Sequence, residues 1–108
     1  MLGGLEINMS MMRQGNIIVQ QGRLLVSGDL NFLTVMAVWQ KSLVLFKELN
    51  ELHFDLAHVH SSNSAGLALL VEWVRYAKNV NKPITFADIP PQLNSIIAAA
   101  GMQKMLSS

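Results

Sequence analysis

Apolar residues along this chain recur at two different periods, and the changes of period divide it into elements. Residues 16–20 (Asn-Ile-Ile-Val-Gln) and 23–27 (Arg-Leu-Leu-Val-Ser) are short β-branched and aliphatic runs separated by Gln21-Gly22. Two such runs around a two-residue glycine turn predict a β-hairpin, whose second strand ends at Gly28-Asp29-Leu30. From about Leu33 to Leu49 the period lengthens. Val35, Val38 or Trp39, Ser42, Phe46 and Leu49 recur at three- and four-residue steps, with Gln40, Lys41, Lys47 and Glu48 on other faces. That pattern predicts an amphipathic helix. His53 to Leu56, with Val59, predicts a third strand, and residues 64–79 a second helix whose first half is almost wholly apolar. Residues 82–87 form the last sheet element, with Pro83 near its start, where no ladder donor is needed. Residues 90–100 complete the series as a helix opened by Pro90-Pro91 and stopped by Gly101.

The order is ββαβαβα, which predicts an α/β domain: a mixed four-stranded sheet with helices packed on it and right-handed crossovers. No linker or repeat interrupts the 108 residues, and that length suits one domain. Residues 14–108 are taken as the domain, and residues 1–13, with methionines at 1, 9, 11 and 12, as a tail or short edge strand.

Charge and composition narrow the function. A formal net charge of +1, from eight scattered basic residues and seven acidic ones, provides no field for nucleic acid. The absence of cysteine removes disulfides, thiolate metal sites and thiol nucleophiles. No stretch approaches the roughly 20 apolar residues that span a bilayer, and the first residues lack the basic start of a secretory signal. The expectation is a cytoplasmic protein without direct membrane insertion. Charged residues make up only 14% of the chain against 51% hydrophobic, a balance that predicts apolar surface covered by a partner.

The most informative segment is Asp55-Leu-Ala-His-Val-His-Ser-Ser-Asn-Ser-Ala-Gly-Leu-Ala-Leu-Leu70. A strand ends, four small polar residues follow (Ser61, Ser62, Asn63, Ser64), and an apolar helix begins. Ser and Asn suit a helix start because their side-chain oxygens accept bonds from unpaired N–H groups of the first turn. Taken alone, the cluster is a helix cap. With its surroundings, Asn-Ser-Ala-Gly-Leu at 63–67 resembles the Asp-Ser/Thr-x-Gly-Leu signature of STAS domains, the anti-sigma-factor-antagonist fold. The resemblance extends to the element order, Gly28-Asp29-Leu30, Phe54-Asp55-Leu56 and Pro83-Ile84-Thr85, over nearly all of residues 14–106.

In the sporulation and stress-response members of that family, the hydroxyl matching Ser64 is phosphorylated by a serine kinase that is also an anti-sigma factor. A phosphate there is tolerated by the helix N-terminus yet adds about −1.5 to −2 charges to a docking surface. The acidic residue usual before that hydroxyl is Asn63 here, which weighs against phosphorylation switching and leaves docking intact. Val35, Val38-Trp39 and Gly-Leu-Ala-Leu-Leu at 66–70 resemble a second branch, the MlaB-like STAS subunit of the Mla phospholipid-transport ABC system. That resemblance implies a non-catalytic subunit that binds and supports an ABC-transporter ATPase at the inner membrane, touching it at the position of Ser64.

The expected partner-binding residues are therefore Ser64 first, then Asn63 and Ser62, then Arg75. Glu72, Trp73 and Tyr76 lie on the same helix; Trp73 either joins the contact, being a hot-spot residue type, or packs inward on the sheet. Trp39 suits the core. Enzyme readings are weak. His58-x-His60 puts two imidazoles on one face of an extended strand, but no third ligand stands at a recognisable spacing. Ser64 lacks a Gly-x-Ser-x-Gly elbow and an orienting carboxylate, and no phosphate-cradling glycine loop occurs. No cofactor, metal or catalytic residue is expected. The small-residue run Ser95 to Met102 is read as a core-packed last helix or a partner groove.

Overall fold

Gln21 and Gly22 both adopt positive φ, 53° and 76°, the combination that lets a two-residue turn follow the twist of a hairpin. They join β1 (Asn16–Gln20) to β2 (Arg23–Leu30) in antiparallel register, with Gln20 opposite Arg23 and Asn16 opposite Ser27. The computed structural model describes residues 14–107; the tail or edge strand expected of residues 1–13 lies outside the described residues.

After the hairpin come α1 (Val35–Phe46), β3 (Leu52–Ser62), α2 (Ser64–Val80), β4 (Ile84–Ala87), α3 (Pro91–Ala99) and α4 (Gln103–Ser107). The strands lie in the order β1-β2-β3-β4, the first pair antiparallel and the other two parallel. This is the expected α/β domain with a mixed four-stranded sheet in ββαβαβα order. Several boundaries differ from expectation: β3 runs Leu52–Ser62 and not only His53–Leu56 with Val59, β4 starts at Ile84 and not Lys82, and α1 ends at Phe46 and not Leu49. β2 continues through Gly28-Asp29-Leu30, because these residues pair with Val59, Ser61 and Ser62 of β3. α1 starts at Val35 and not Leu33, because Asn31–Thr34 close a turn in which the Asn31 side chain accepts the Leu33 N–H at 2.8 Å. Gly101, at φ 68°, does end α3's segment, but the chain then forms the short additional helix α4.

One face of the sheet carries the core. Ile17, Leu24, Val26, Leu30, Leu52, Phe54, Leu56 and Val59 are buried against Val38 and Phe46 of α1, Leu70 and Trp73 of α2, and Leu93 and Ile97 of α3. Phe54 is the centre of an aromatic stack: its ring lies 4.2 Å from Trp73 and 5.1 Å from Phe86, and Phe46 meets it edge-on at 5.9 Å. Trp73 is fully buried, which settles the inward alternative and removes it from any contact surface. Its indole N–H donates to Ser42 Oγ at 2.9 Å, and the Ser42 hydroxyl donates to the Trp39 carbonyl at 2.6 Å. This buried relay ties α1 to α2.

β3 is irregular in a way that alternation alone does not predict. Between Leu25/Ser27 of β2 and again between Gly28/Asp29, β3 contains one extra residue. Each is a β-bulge, which leaves two successive residues on one side of the strand. Ala57 and His58 both face outward, Val59 inward, and His60 and Ser61 away from the core again before Ser62 is buried. The Asp55 carboxylate accepts the Ala57 N–H at 2.9 Å inside the first bulge, and Gly28 at φ 82° supplies the backbone conformation opposite the second.

Candidate functional site

The turn from β3 into α2 is fixed from below. Ser62, the last residue of β3, donates its N–H to Gln92 Oε1 of α3 at 3.0 Å and its hydroxyl to the Asn63 carbonyl at 3.1 Å. It is 5% exposed because Gly66 rests on it. A Cβ at position 66 would collide with Ser62 Oγ and stand 3.3 Å from Leu30 Cβ. Ser62 is therefore the floor under the helix start and not part of the surface expected of it. Ser61 is similarly engaged, donating to Asp29 Oδ1 at 2.8 Å.

Asn63 is the N-cap of α2. Its backbone is extended, its N–H donates to the Leu30 carbonyl at 3.1 Å, and its side-chain oxygen accepts the Ala65 N–H at 2.8 Å. Asn63 thus satisfies one of the orphan donors of the first turn, as an N-cap amide does. Ser64, the first residue of α2, is exposed beside it.

From Ser64 the solvent side of α2 runs through Ala68, Glu72 and Arg75, steps of four, four and three residues that keep one helix face. The Arg75 guanidinium approaches the Glu72 carboxylate at 3.4 Å. Two hollows flank this line. The first, about 360 Å³, lies between α1 and α2 and is walled by Phe32, Val35, Met36, Trp39, Ala68 and Leu69, with Glu72 at its rim. The second, about 300 Å³, lies towards α4, with Ser64, Val71, Arg75 and Met102 on its walls. Ala68 and Glu72 border both.

Two of the first hollow's apolar walls face water: Phe32 is 74% exposed and Met36 62%, and the neighbouring Leu33 is 94% exposed. Their loop is held in place: the Asn31 N–H donates to Thr34 Oγ1 at 2.9 Å, and the Thr34 hydroxyl donates to the Asp29 carbonyl at 2.6 Å. Phe32, Leu33, Met36 and Ala68 are not among the residues expected from the sequence. The available signal was that α1 carries a single charge, Lys41, in twelve residues, too few for a helix with one solvated face.

The structure thus brings Asn63, Ser64 and Arg75 to one surface and withdraws Ser62 and Trp73. His58 and His60 are exposed on β3, outside the core face. Among the described residues, no three His, Asp or Glu side chains gather into a metal-binding group, and no helix is long and apolar enough to cross a membrane.

Comparison with known proteins places this architecture. The family model described as "Mlab, STAS domain" matches residues 16–107. No curated protein matches by sequence. Among solved structures, the anti-sigma factor antagonist SpoIIAA in its unphosphorylated form is similar with a TM-score of 0.66 at 14% identity, over 84% of each chain. The phosphorylated form of the Bacillus cell fate determinant SpoIIAA is similar with a TM-score of 0.62 at 14% identity, over 84% of this chain and 86% of that one. The murine anion transporter Slc26a9 matches with a TM-score of 0.67 at 15% identity, over 91% of this chain but only 20% of the transporter. At these identities the structural likenesses establish a shared fold, and the family match covers the sheet, the capped turn and the helices around it: the chain belongs to the STAS domain family.

Proposed function

We propose that this chain is a non-catalytic docking subunit that binds and supports the ATPase of a phospholipid-transporting ABC system at the inner-membrane face. The observation that carries the reading is the surface around Ser64. An exposed hydroxyl on a capped turn stands one helical turn from Ala68, which lines an apolar hollow whose wall residues Phe32 and Met36 face water. Exposed apolar area of this kind, rimmed by polar groups, marks an interaction site. The Mlab name of the matching family agrees with the branch that Val35, Val38-Trp39 and residues 66–70 resemble, a resemblance that implies an ABC ATPase as the partner. Asn63, Ser64 and Arg75 are the contact residues, and the protein reaches the membrane only through the complex. Chemistry on nucleotide belongs to the partner.

A second reading, an anti-sigma-factor antagonist switched by phosphorylation of Ser64, is favoured by one observation: the hydroxyl is exposed at a helix N-terminus, where phosphate is locally accommodated. Its partner would be a serine kinase acting as anti-sigma factor.

Affinity purification of the tagged protein separates the two. Recovery of an ABC ATPase, lost in Ser64→Glu, is the expected result. A carboxylate at this position suits the helix end, so the variant keeps its fold and changes only the surface. Recovery of a kinase, with phosphate on Ser64, would replace the first reading by the second. Undiminished capture by Ser64→Glu and by Asn63→Arg would remove the site altogether.

A further inference from the structure

β1 is an edge strand: among the described residues its one neighbour in the sheet is β2. In a two-residue hairpin the closing pair, here Gln20 and Arg23, exchanges both backbone bonds, and bonded pairs then alternate. Gln20, Ile18 and Asn16 therefore bond to β2, while the N–H and C=O groups of Ile17 and Val19 point to the open edge. Natural edges are blunted by charge, proline, a bulge or a covering element. The opposite edge, β4, follows Pro83 and has α4 lying against it. β1 carries none of the first three. Asn16-Ile-Ile-Val-Gln20 is uncharged and pairs with β2 without a register shift, and Ile18 and Val19 are exposed.

The strand is chemically the same read in either direction. An antiparallel copy turned about Ile18 sets Asn16 against Gln20, Ile17 against Val19 and Ile18 against itself, amide on amide and aliphatic on aliphatic. α1 extends this self-match. Gly15 lies against Thr34 and Val38, and Lys41 Nζ donates to Asn16 Oδ1 at 2.8 Å, so α1 runs along β1 in the same direction. Lys41 marks the flank of α1 that faces the edge, away from the hollow walled by Val35, Met36 and Trp39. Ala37 and Val44, four residues before it and three after, share that flank and are exposed. At about 1.5 Å per helical residue and 3.4 Å per extended one, Val44 is level with Ile18. Lys41 stands on one side of Val44, and the exposed Glu48, in the turn after α1, on the other. A two-fold axis through Ile18 then brings Val44 to Val44 and each Lys41 to the other copy's Glu48.

We infer that a second copy of this chain pairs with the first through β1, antiparallel about Ile18, making one continuous sheet whose two α1 helices pack across the axis. Ile17 of each copy exchanges backbone bonds with Val19 of the other, and the interface is self-complementary, as a two-fold contact must be. α2 and the Ser64 turn follow β3, beyond β2 in the sheet, so this surface is separate from the one proposed for the ATPase.

Sedimentation velocity on the purified full chain tests the pairing, and a dimer that grows with concentration is expected. Ile18→Lys sets like charges opposite each other at the axis. It is expected to weaken the dimer about tenfold or more, the scale of a central contact, with thermal unfolding unchanged because the position is exposed. Lys41→Glu and Glu48→Lys are each expected to weaken it, and the two together to restore it, which damage to the fold would not do. The chain has no cysteine, so Ile18→Cys adds a single thiol. Facing Cα atoms of a non-hydrogen-bonded pair are about 4.5 Å apart, within reach of a disulfide. Oxidation is expected to link the copies through position 18 and not through an exposed control on α3, Ala98→Cys. A monomer at every concentration, a dimer indifferent to Ile18→Lys, a double swap no better than either single one, or equal linking by the control would overturn the pairing.

Discussion

Ser42→Ala removes one oxygen from the interior, and its cost follows from what that oxygen does. Ser42 is fully buried, accepts the Trp73 indole N–H at 2.9 Å and donates to the Trp39 carbonyl at 2.6 Å. Losing the hydroxyl forfeits a net hydrogen bond of about 1 kcal/mol and strands the indole N–H without water, a further penalty of roughly 1–3 kcal/mol. Alanine's better helix propensity returns about half a kcal/mol. The expected net loss is about 2–3 kcal/mol, equivalent to roughly 10–20 °C in Tm for a domain of this length. Urea unfolding followed by far-ultraviolet circular dichroism avoids the tryptophan signal and measures the loss directly. Trp73→Phe, measured alone and with Ser42→Ala, closes a double-mutant cycle whose coupling is expected at about 1–2 kcal/mol. A Ser42→Ala protein within about 0.5 kcal/mol of wild type, the range of an ordinary surface change, would refute the reasoning. The same experiment bears on function, because this relay holds together the two helices that wall the apolar hollow.

Two further outcomes concern the capped turn. Gly66→Ala is expected to destabilise by about 1–2 kcal/mol despite alanine's advantage of roughly 1 kcal/mol in a helix, because the new methyl displaces the Ser62 hydroxyl from the Asn63 carbonyl. Much of that cost should vanish when Ser62 is also alanine, and full stabilisation by Gly66→Ala alone would show that the close approach imposes no constraint. Asn63→Ala is expected to lose about 1 kcal/mol with the cap, whereas Asn63→Asp keeps the bond to Ala65 N–H and gains about 0.3–1 kcal/mol from the helix end. Urea midpoints check both, and equal stability of the Ala and Asp variants would contradict the cap.

The hairpin, α1, α2 and the ββαβαβα order were legible because each rests on local rules: a two-residue turn with glycine, a three-to-four spacing of apolar residues, small polar residues before a helix. The Ser64 turn was legible for the same reason, since capping chemistry involves neighbours in sequence. What was not legible depends on distant partners. Ser62 has the composition of a surface turn, yet Gly66 and Gln92 cover it. Trp73 has the identity of a contact residue, yet Phe54 offers it a ring 4.2 Å away and Ser42 an acceptor. Leu33 looks like the first apolar residue of a helix, but Asn31 and Thr34 bind the backbone around it into a turn that leaves it, with Phe32, facing outward.

The paired bulges of β3 constrain how this segment can change length. Between Leu24 and Leu30, β2 advances six residues, while β3 advances eight from Phe54 to Ser62. Each bulge absorbs its extra residue by placing two neighbours, Ala57-His58 and His60-Ser61, on the outer side, so the phase is reset at each bulge and Ser62 faces inward opposite Leu30. Loss of one extra residue together with its bulge would leave Ser62 inward, whereas loss of a residue outside the bulges would slip the register and turn the side chains beyond it to the other face. The bulges are thus where this strand can change length by single residues without moving the cap that follows it.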